Sequence, residues 1–192
     1  MSTQFKVLII TGSLREKSYN AAIGRQLASV APDNLELIHA PSIGTLPHYN
    51  QDVQDAGFPQ EVQAFADAIR SADGLIFVTP EYNYSVPGVL KNAIDWVSRL
   101  RPVPFDNKVG SIISASGGAI GGARMQYHLR QILVAMNMHL VNKPEIMVGV
   151  VQNKTDGEGG KITDETTLGF IGSNLKELAR LLELHHSKQN QA

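Results

Sequence analysis

The sequence predicts an α/β domain: a parallel β-sheet covered by helices on both faces. Three observations carry that prediction. Strand-like and helix-like segments alternate along all 192 residues. The strand-like runs are nearly continuous in apolar residues, as expected of strands buried on both sides. Loops of unusual polar and glycine content follow three of those runs, at the strand ends where ligands bind in such sheets.

Each element follows from local chemistry. Phe5-Lys6-Val7-Leu8-Ile9-Ile10 is the first buried strand, and after a polar loop Asn20 to Val30 reads as a helix ended by Pro32-Asp33-Asn34. Leu35 to His39 is a short strand. Residues 40–51 read as irregular because Pro41, Gly44 and Pro47 interrupt them. Pro59 opens a helix in which Val62, Phe65, Ala66 and Ile69 recur at helical spacing. Gly74 to Thr79 is a compact apolar strand, and Pro87-Gly88 opens a helix with Val89, Leu90, Ala93, Ile94 and Val97 facing inward. A proline-containing loop from Arg101 to Asn107 leads to a buried strand, Lys108 to Ala115, and then to a helix, Ala123 to Asn137. The last strand begins at His139-Leu140-Val141 and continues unevenly towards Val151. A glycine-rich loop, Asn153 to Gly160, precedes the final helix, Thr163 to His185, and the tail from about residue 187 is expected to fray. No repeat or linker divides the chain, so residues 1–192 are expected to form one domain with a core of its own.

Composition narrows the function. Hydrophobic content of 43% and charged content of 18% are those of an ordinary soluble domain. No run is long enough to cross a membrane, and no signal-peptide pattern is present. The absence of cysteine excludes disulfides, thiolate metal sites and thiol catalysis, and fits a cytoplasmic location. A net charge of -1 without a basic stripe argues against nucleic acid as a partner. It also lacks the acidic bias that steers a one-electron shuttle onto basic partners.

The loop Thr11-Gly12-Ser13-Leu14-Arg15-Glu16-Lys17-Ser18-Tyr19-Asn20 joins a buried strand to a helix start. Free N–H groups and the dipole at a helix N-terminus favour an anion there. Ser13, Ser18 and Asn20 add neutral donors, and Arg15 adds a planar cation suited to phosphate. Lys17 stands where the nucleotide P-loop needs its second glycine, and the dinucleotide fingerprint needs three glycines where only Gly12 is present. A monophosphate therefore fits better than a di- or triphosphate. The competing reading is an ordinary strand-to-helix connection capped by Ser18.

Two further loops leave strand ends. Pro80-Glu81-Tyr82-Asn83-Tyr84-Ser85-Val86-Pro87-Gly88 has its backbone fixed by two prolines and presents amides and aromatic rings to a planar heterocycle; packing of Tyr82 and Tyr84 on neighbouring loops is the alternative. Ser116-Gly117-Gly118-Ala119-Ile120-Gly121-Gly122 allows close approach of backbone to ligand, or is a flexible turn. The histidines lack metal-like spacing and no serine has a paired base, so neither a metal nor a hydrolytic site is expected.

These three stretches, together with Val89-Leu90-Lys91-Asn92-Ala93-Ile94-Asp95-Trp96, resemble the NAD(P)H-dependent FMN reductase family of flavodoxin-like proteins, the group that includes chromate and quinone reductases. The resemblance implies a five-stranded parallel sheet of order 2-1-3-4-5. It implies FMN bound through Ser13, Arg15, Ser18, Tyr19 and Asn20 at the phosphate. Pro80, Glu81, Tyr82 and Asn83 would lie on one side of the ring and Ser116, Gly117 and Gly118 near the other. It further implies a homo-oligomer, dimeric or tetrameric, and hydride transfer from NADH or NADPH to FMN N5, then on to quinones, flavins or oxyanions such as chromate, in ping-pong order. No protein side chain is required as the catalytic group. Arg101 and Arg124 are candidates to attract anionic substrates, with a surface or interface salt bridge as the alternative for each. A non-catalytic flavodoxin-type carrier or flavin-binding regulatory module is the rival function.

Overall fold

The computed structural model describes residues 3–189. Its sheet has the order β2-β1-β3-β4-β5, with β6 also paired to β4, and every pairing is parallel. The strands are β1 (Phe5–Thr11), β2 (Leu35–His39), β3 (Gly74–Val78), β4 (Val109–Ala115), β5 (His139–Leu140) and β6 (Ile146–Val148). The helices are α1 (Tyr19–Gln26), α2 (Gln51–Ala56), α3 (Gln60–Arg70), α4 (Gly88–Val97), α5 (Ala123–Ala135) and α6 (Glu165–Gln189). This is the flavodoxin-like arrangement that the resemblance implies.

The strands bury both faces, and their period of two sorts the side chains. Leu8, Ile10, Leu75, Phe77 and Ile112 enter one core with Val62, Phe65 and Ile69 of α3, Leu90, Ile94 and Val97 of α4, and Leu129 and Leu133 of α5. Val7, Ile9, Ile76, Val78 and Ile113 enter the other with Ile23 of α1 and Ile171, Leu175, Leu178 and Leu182 of α6. The sequence-predicted inner face of α3 is the buried one. On α4 the fully buried Trp96 joins that face, donating its indole N–H to Pro47 O at 2.8 Å. Truncating such a ring to alanine costs about 3–5 kcal/mol.

Three departures from the sequence pattern have local causes. Helix α2 lies within the stretch read as irregular or left unassigned. It buries no residue, so it has no apolar periodicity, and it is marked only by its Asn50 cap, whose Oδ1 accepts from Asp52 N at 2.9 Å. The last strand is two pieces, because only residues 139–140 and 146–148 pair with β4. Helix α6 continues through Gln189, with Ser187 Oγ donating to Glu183 O at 2.8 Å; residues 190–192 of the expected frayed tail lie outside the described residues.

The order of the sheet places one switch point. The chain leaves β1 for β2 through α1 on one face and enters β3 through α3 on the other. The loops after β1 and β3 therefore face each other across a crevice at the carboxyl edge, where α/β sheets bind ligands.

Candidate functional site

The loop after β1 is drawn tightly against the loop after β3. Gly12 N–H donates to Val78 O at 3.0 Å, and a Cβ on Gly12 would stand 2.0 Å from Thr79 Oγ1. Only glycine permits that approach. Ser13 Oγ lies 3.4 Å from Tyr82 Oη, so the two loops also meet through side chains.

Helix α1 starts at the end of the first loop. Ser18 is its N-cap, with extended backbone and a buried Oγ that accepts from Ala21 N at 3.3 Å. Capping thus describes Ser18, and its own O–H remains a donor. The N–H groups of Tyr19 and Asn20, first in the helix, have no acceptor within it. The side chain of Asn20 is put to another use. Its Nδ2 donates to Ala115 O and its Oδ1 accepts from Ala115 N, each at 2.9 Å, so its side-chain amide is tied to β4 and only its main-chain N–H is left at the helix start. Arg15 is half-exposed, forms an ion pair with Glu158, and lies 5.8 Å from the centre of the Tyr19 ring.

The loop after β3 is a tight turn. Tyr82 and Ser85 exchange two backbone hydrogen bonds of 3.0 Å, and Asn83 and Tyr84 both have positive φ, 48° and 69°. Asn tolerates that conformation, whereas a tyrosine there is strained and needs surrounding structure to hold it. Arg124 supplies the hold, its guanidinium carbon 3.5 Å from the centre of the Tyr84 ring. Arg124 Nε also donates to Glu81 Oε1 at 2.7 Å, and the largely buried Glu81 accepts from Met125 N at 3.2 Å through Oε2. Glu81 therefore closes the N-terminus of α5, where a carboxylate is favoured. The hydrogen bond to Glu81, ahead of any other cause, holds the Arg124 guanidinium above its already high pKa. Pro80 is buried behind this turn, and the rings of Tyr82 and Tyr84 remain exposed.

The glycine loop after β4 is built like a sheet extension. Ser116 N donates to Val148 O at 3.0 Å, Val151 N to Ser116 O at 3.1 Å and Val150 N to Gly118 O at 3.1 Å. Below it, Ser114 Oγ donates to Gly121 O at 2.6 Å and accepts from Gln126 Nε2 at 2.9 Å. Gly117 and Gly118 stay exposed. The supporting segment 148–152, read from the sequence up to Val151 as the uneven end of the last strand, lies so close to this loop that a Cβ on Gly149 would stand 2.0 Å from Ala119 O.

The structure therefore brings Ser13, Arg15, Ser18, Tyr19, Asn20, Pro80, Glu81, Tyr82, Asn83, Ser116, Gly117 and Gly118 to one edge of the sheet. Arg124 joins them through Glu81. Arg101 does not. It follows α4, which runs back to the amino edge, and its Nη1 donates to Ser98 O at 2.8 Å and Leu100 O at 2.9 Å. Within this chain Arg101 closes a helix C-terminus, away from the edge where the other residues meet. Tyr127 and Glu145 form a separate contact of 3.4 Å, with Arg130 close to Glu145. Among the described residues no group of three or more His, Asp or Glu side chains is placed to hold a metal ion.

The donor set at this edge fits a phosphorylated planar ligand: N–H groups at a helix start, two hydroxyls and one guanidinium at one end, with exposed tyrosines and bare glycine backbone beside it. Comparison with known proteins agrees. The sequence model of the family described as NADPH-dependent FMN reductase matches residues 5–153. A quinone reductase of Escherichia coli is 48% identical over 184 residues, covering 95% of this chain and 98% of that one. An NAD(P)H-dependent FMN reductase of Pseudomonas aeruginosa is 48% identical over 178 residues, covering 93% and 95%. Among solved structures, FerB from Paracoccus denitrificans, a flavoenzyme NAD(P)H:(acceptor) oxidoreductase, superposes with a TM-score of 0.85 at 33% identity, covering 94% of this chain and 98% of that one.

Proposed function

The chain belongs to the NADPH-dependent FMN reductase family, and from that premise we propose that it is an NAD(P)H-dependent quinone reductase whose FMN sits at the carboxyl edge of the sheet, across the loops after β1, β3 and β4. The observation that carries the placement is the meeting of these loops, fixed by the close approach of Gly12 to Thr79 and the contact between Ser13 and Tyr82. Ser13, Arg15, Ser18 and the N–H groups of Tyr19 and Asn20 would hold the phosphate. Pro80, Glu81, Tyr82 and Asn83 would border one side of the ring, and Ser116, Gly117 and Gly118 the other.

FMN held there would supply the redox chemistry, accepting hydride equivalents from NADH or NADPH through N5 and delivering electrons to a quinone, a flavin or an oxyanion such as chromate in ping-pong order. The chain contributes binding and orientation. Bare amides at Gly117 and Gly118 are donors that need no rearrangement to meet developing negative charge. The Glu81–Arg124 pair keeps the Asn83-Tyr84 turn in its strained form, so the ring-bordering residues stay in place between turnovers. Arg124, exposed on one side, keeps a cation at the rim for an anionic acceptor or nicotinamide phosphate.

We further place the protein in the cytoplasm as a homo-oligomer, dimer or tetramer. No helix among the described residues is long and apolar enough to cross a membrane. Exposed Tyr127 and Val134 on α5, the helix that also carries Arg124, give a second copy an aromatic and apolar strip to cover.

An anaerobic absorbance spectrum tests the assignment. Flavin bands that bleach within seconds of adding NADH or NADPH are expected, with quinone restoring them. A flavin that NAD(P)H leaves oxidised would make the protein a carrier, and a chain that binds no FMN would end the reading.

A further inference from the structure

The loop between β6 and α6 is a hairpin strapped over the outside of the phosphate-end loop. Thr155 and Ile162 form an antiparallel bridge, and Asp156 N donates to Lys161 O at 3.0 Å. Gln26 on α1 clasps the base, its Nε2 donating to Ile162 O at 3.0 Å and its Oε1 accepting from Ile162 N at 2.8 Å. Arg25 Nη2 donates to Gly159 O at 3.4 Å. The tip lies against Lys17 so closely that a Cβ on Gly159, at φ +72°, would stand 2.8 Å from Lys17 Cα. These anchors leave Glu158 at the tip, and its carboxylate is paired with Arg15.

The pairing sets one cation between two anions. Arg15 is the only guanidinium in the phosphate-end loop, and a carboxylate supplied from residue 158 of the same chain already engages its Nη1. We propose that Glu158 is an affinity-tuning residue: a tethered carboxylate that competes for Arg15 with the phosphate of the flavin and so keeps FMN exchangeable. The proposal rests on the assignment of the FMN phosphate to the loop after β1. Both partners are about half-exposed, at 50% and 56%, so their pair is weak and gives way to a dianion. The hairpin need not undock when the pair opens, because Gln26, Arg25 and the Gly159–Lys17 contact hold it independently. Glu158 also places a negative charge beside the anion site within one Debye length, which weakens phosphate binding further.

The test is titration of the full chain with FMN and with riboflavin, which lacks the phosphate, followed by quenching of flavin fluorescence. Glu158→Gln keeps the size and hydrogen-bonding reach of the side chain and removes its charge. It is expected to bind FMN about two- to fivefold more tightly and to release it more slowly, with riboflavin affinity unchanged. Equal or weaker FMN binding by Glu158→Gln, while Arg15→Ala weakens FMN alone, would overturn the proposal and leave the phosphate assignment standing. A gain that appears equally with riboflavin overturns it too. If Arg15→Ala leaves FMN affinity untouched, the phosphate assignment itself falls and this proposal with it.

Discussion

Asn20 and Ala115 are joined by two hydrogen bonds of 2.9 Å, the side-chain amide of one closing on both backbone groups of the other. The pair ties the first turn of α1 to the last residue of β4, across 95 positions of sequence. It fixes the distance between the proposed phosphate end and the glycine loop. Asn20→Ala would leave a buried N–H and a buried C=O unpaired, at about 1–3 kcal/mol for each group. The urea midpoint should fall accordingly, and FMN affinity with it. A variant of wild-type stability would show that water replaces the amide and that the pair does not set the spacing.

Gly12→Ala drives a methyl group into Thr79 and is expected to cost about 1–3 kcal/mol as overpacking. The cause can be isolated by a double-mutant cycle. Thr79→Gly removes the atoms at 2.0 Å and 2.5 Å, so the double variant should be less destabilised than the sum of the singles. Simple additivity would mean that Gly12 is needed for its backbone and not for the close approach.

Arg15→Ala would remove the proposed charge-assisted contact to phosphate and should cost about 1.5–3 kcal/mol of FMN affinity, on the order of tenfold or more. Because Arg15 is exposed and its partner Glu158 sits on an independently anchored hairpin, the fold should tolerate the change. Equilibrium dialysis with FMN measures the loss, and a thermal melt verifies that the melting temperature barely moves.

Helix α6 should weaken in acid from both ends. Burial first, then His139, Lys188 and Lys108, hold the His185 imidazole below its ordinary pKa. The unfolded chain thus takes the proton more readily, so the stability due to His185 is full above about pH 6.5 and is lost as pH falls through the lowered native value. At the other end the Thr167 side-chain and backbone hydrogen bonds, the latter from N–H at 2.7 Å, hold Asp164 below the ordinary carboxylate value. That contribution is present above about pH 4 and is lost below it. Urea midpoints against pH should show the upper decline flattened in His185→Gln and the lower one in Asp164→Asn. Curves parallel to wild type in both variants would count against this account.

What the sequence made legible was what local patterns encode. The runs from Phe5, Gly74 and Lys108 declare buried strands because both faces are apolar, and their alternation with helices gives a parallel sheet, while the strand order, and with it the switch point, is what the family resemblance implies. The use of Asn20 was not legible. Its residue type reads as a phosphate donor, and only the packing of α1 on β4 turns its amide towards Ala115. Glu158 was hidden in the same way, as one of two acids, with Asp156, in a glycine-rich loop until the hairpin carries it to Arg15. The place of Arg101 was legible in principle, because a residue between a helix and the next parallel strand belongs to the amino edge.

The interrupted edge of the sheet protects the protein from its own kind of structure. A long, flat edge strand offers unpaired backbone groups to any other extended chain and so seeds aggregation. Here the β4 side of the sheet ends in a two-residue strand and a three-residue strand, with Pro144 in the break between them. Beyond β6 the chain does not run on as a free strand, because residues 148–151 turn back onto the end of β4 and its loop, bonded to Ser116 and Gly118. Among the described residues no ladder long enough to template a foreign strand is left along that border, so edge-to-edge stacking there should be weaker than an uninterrupted fifth strand would allow.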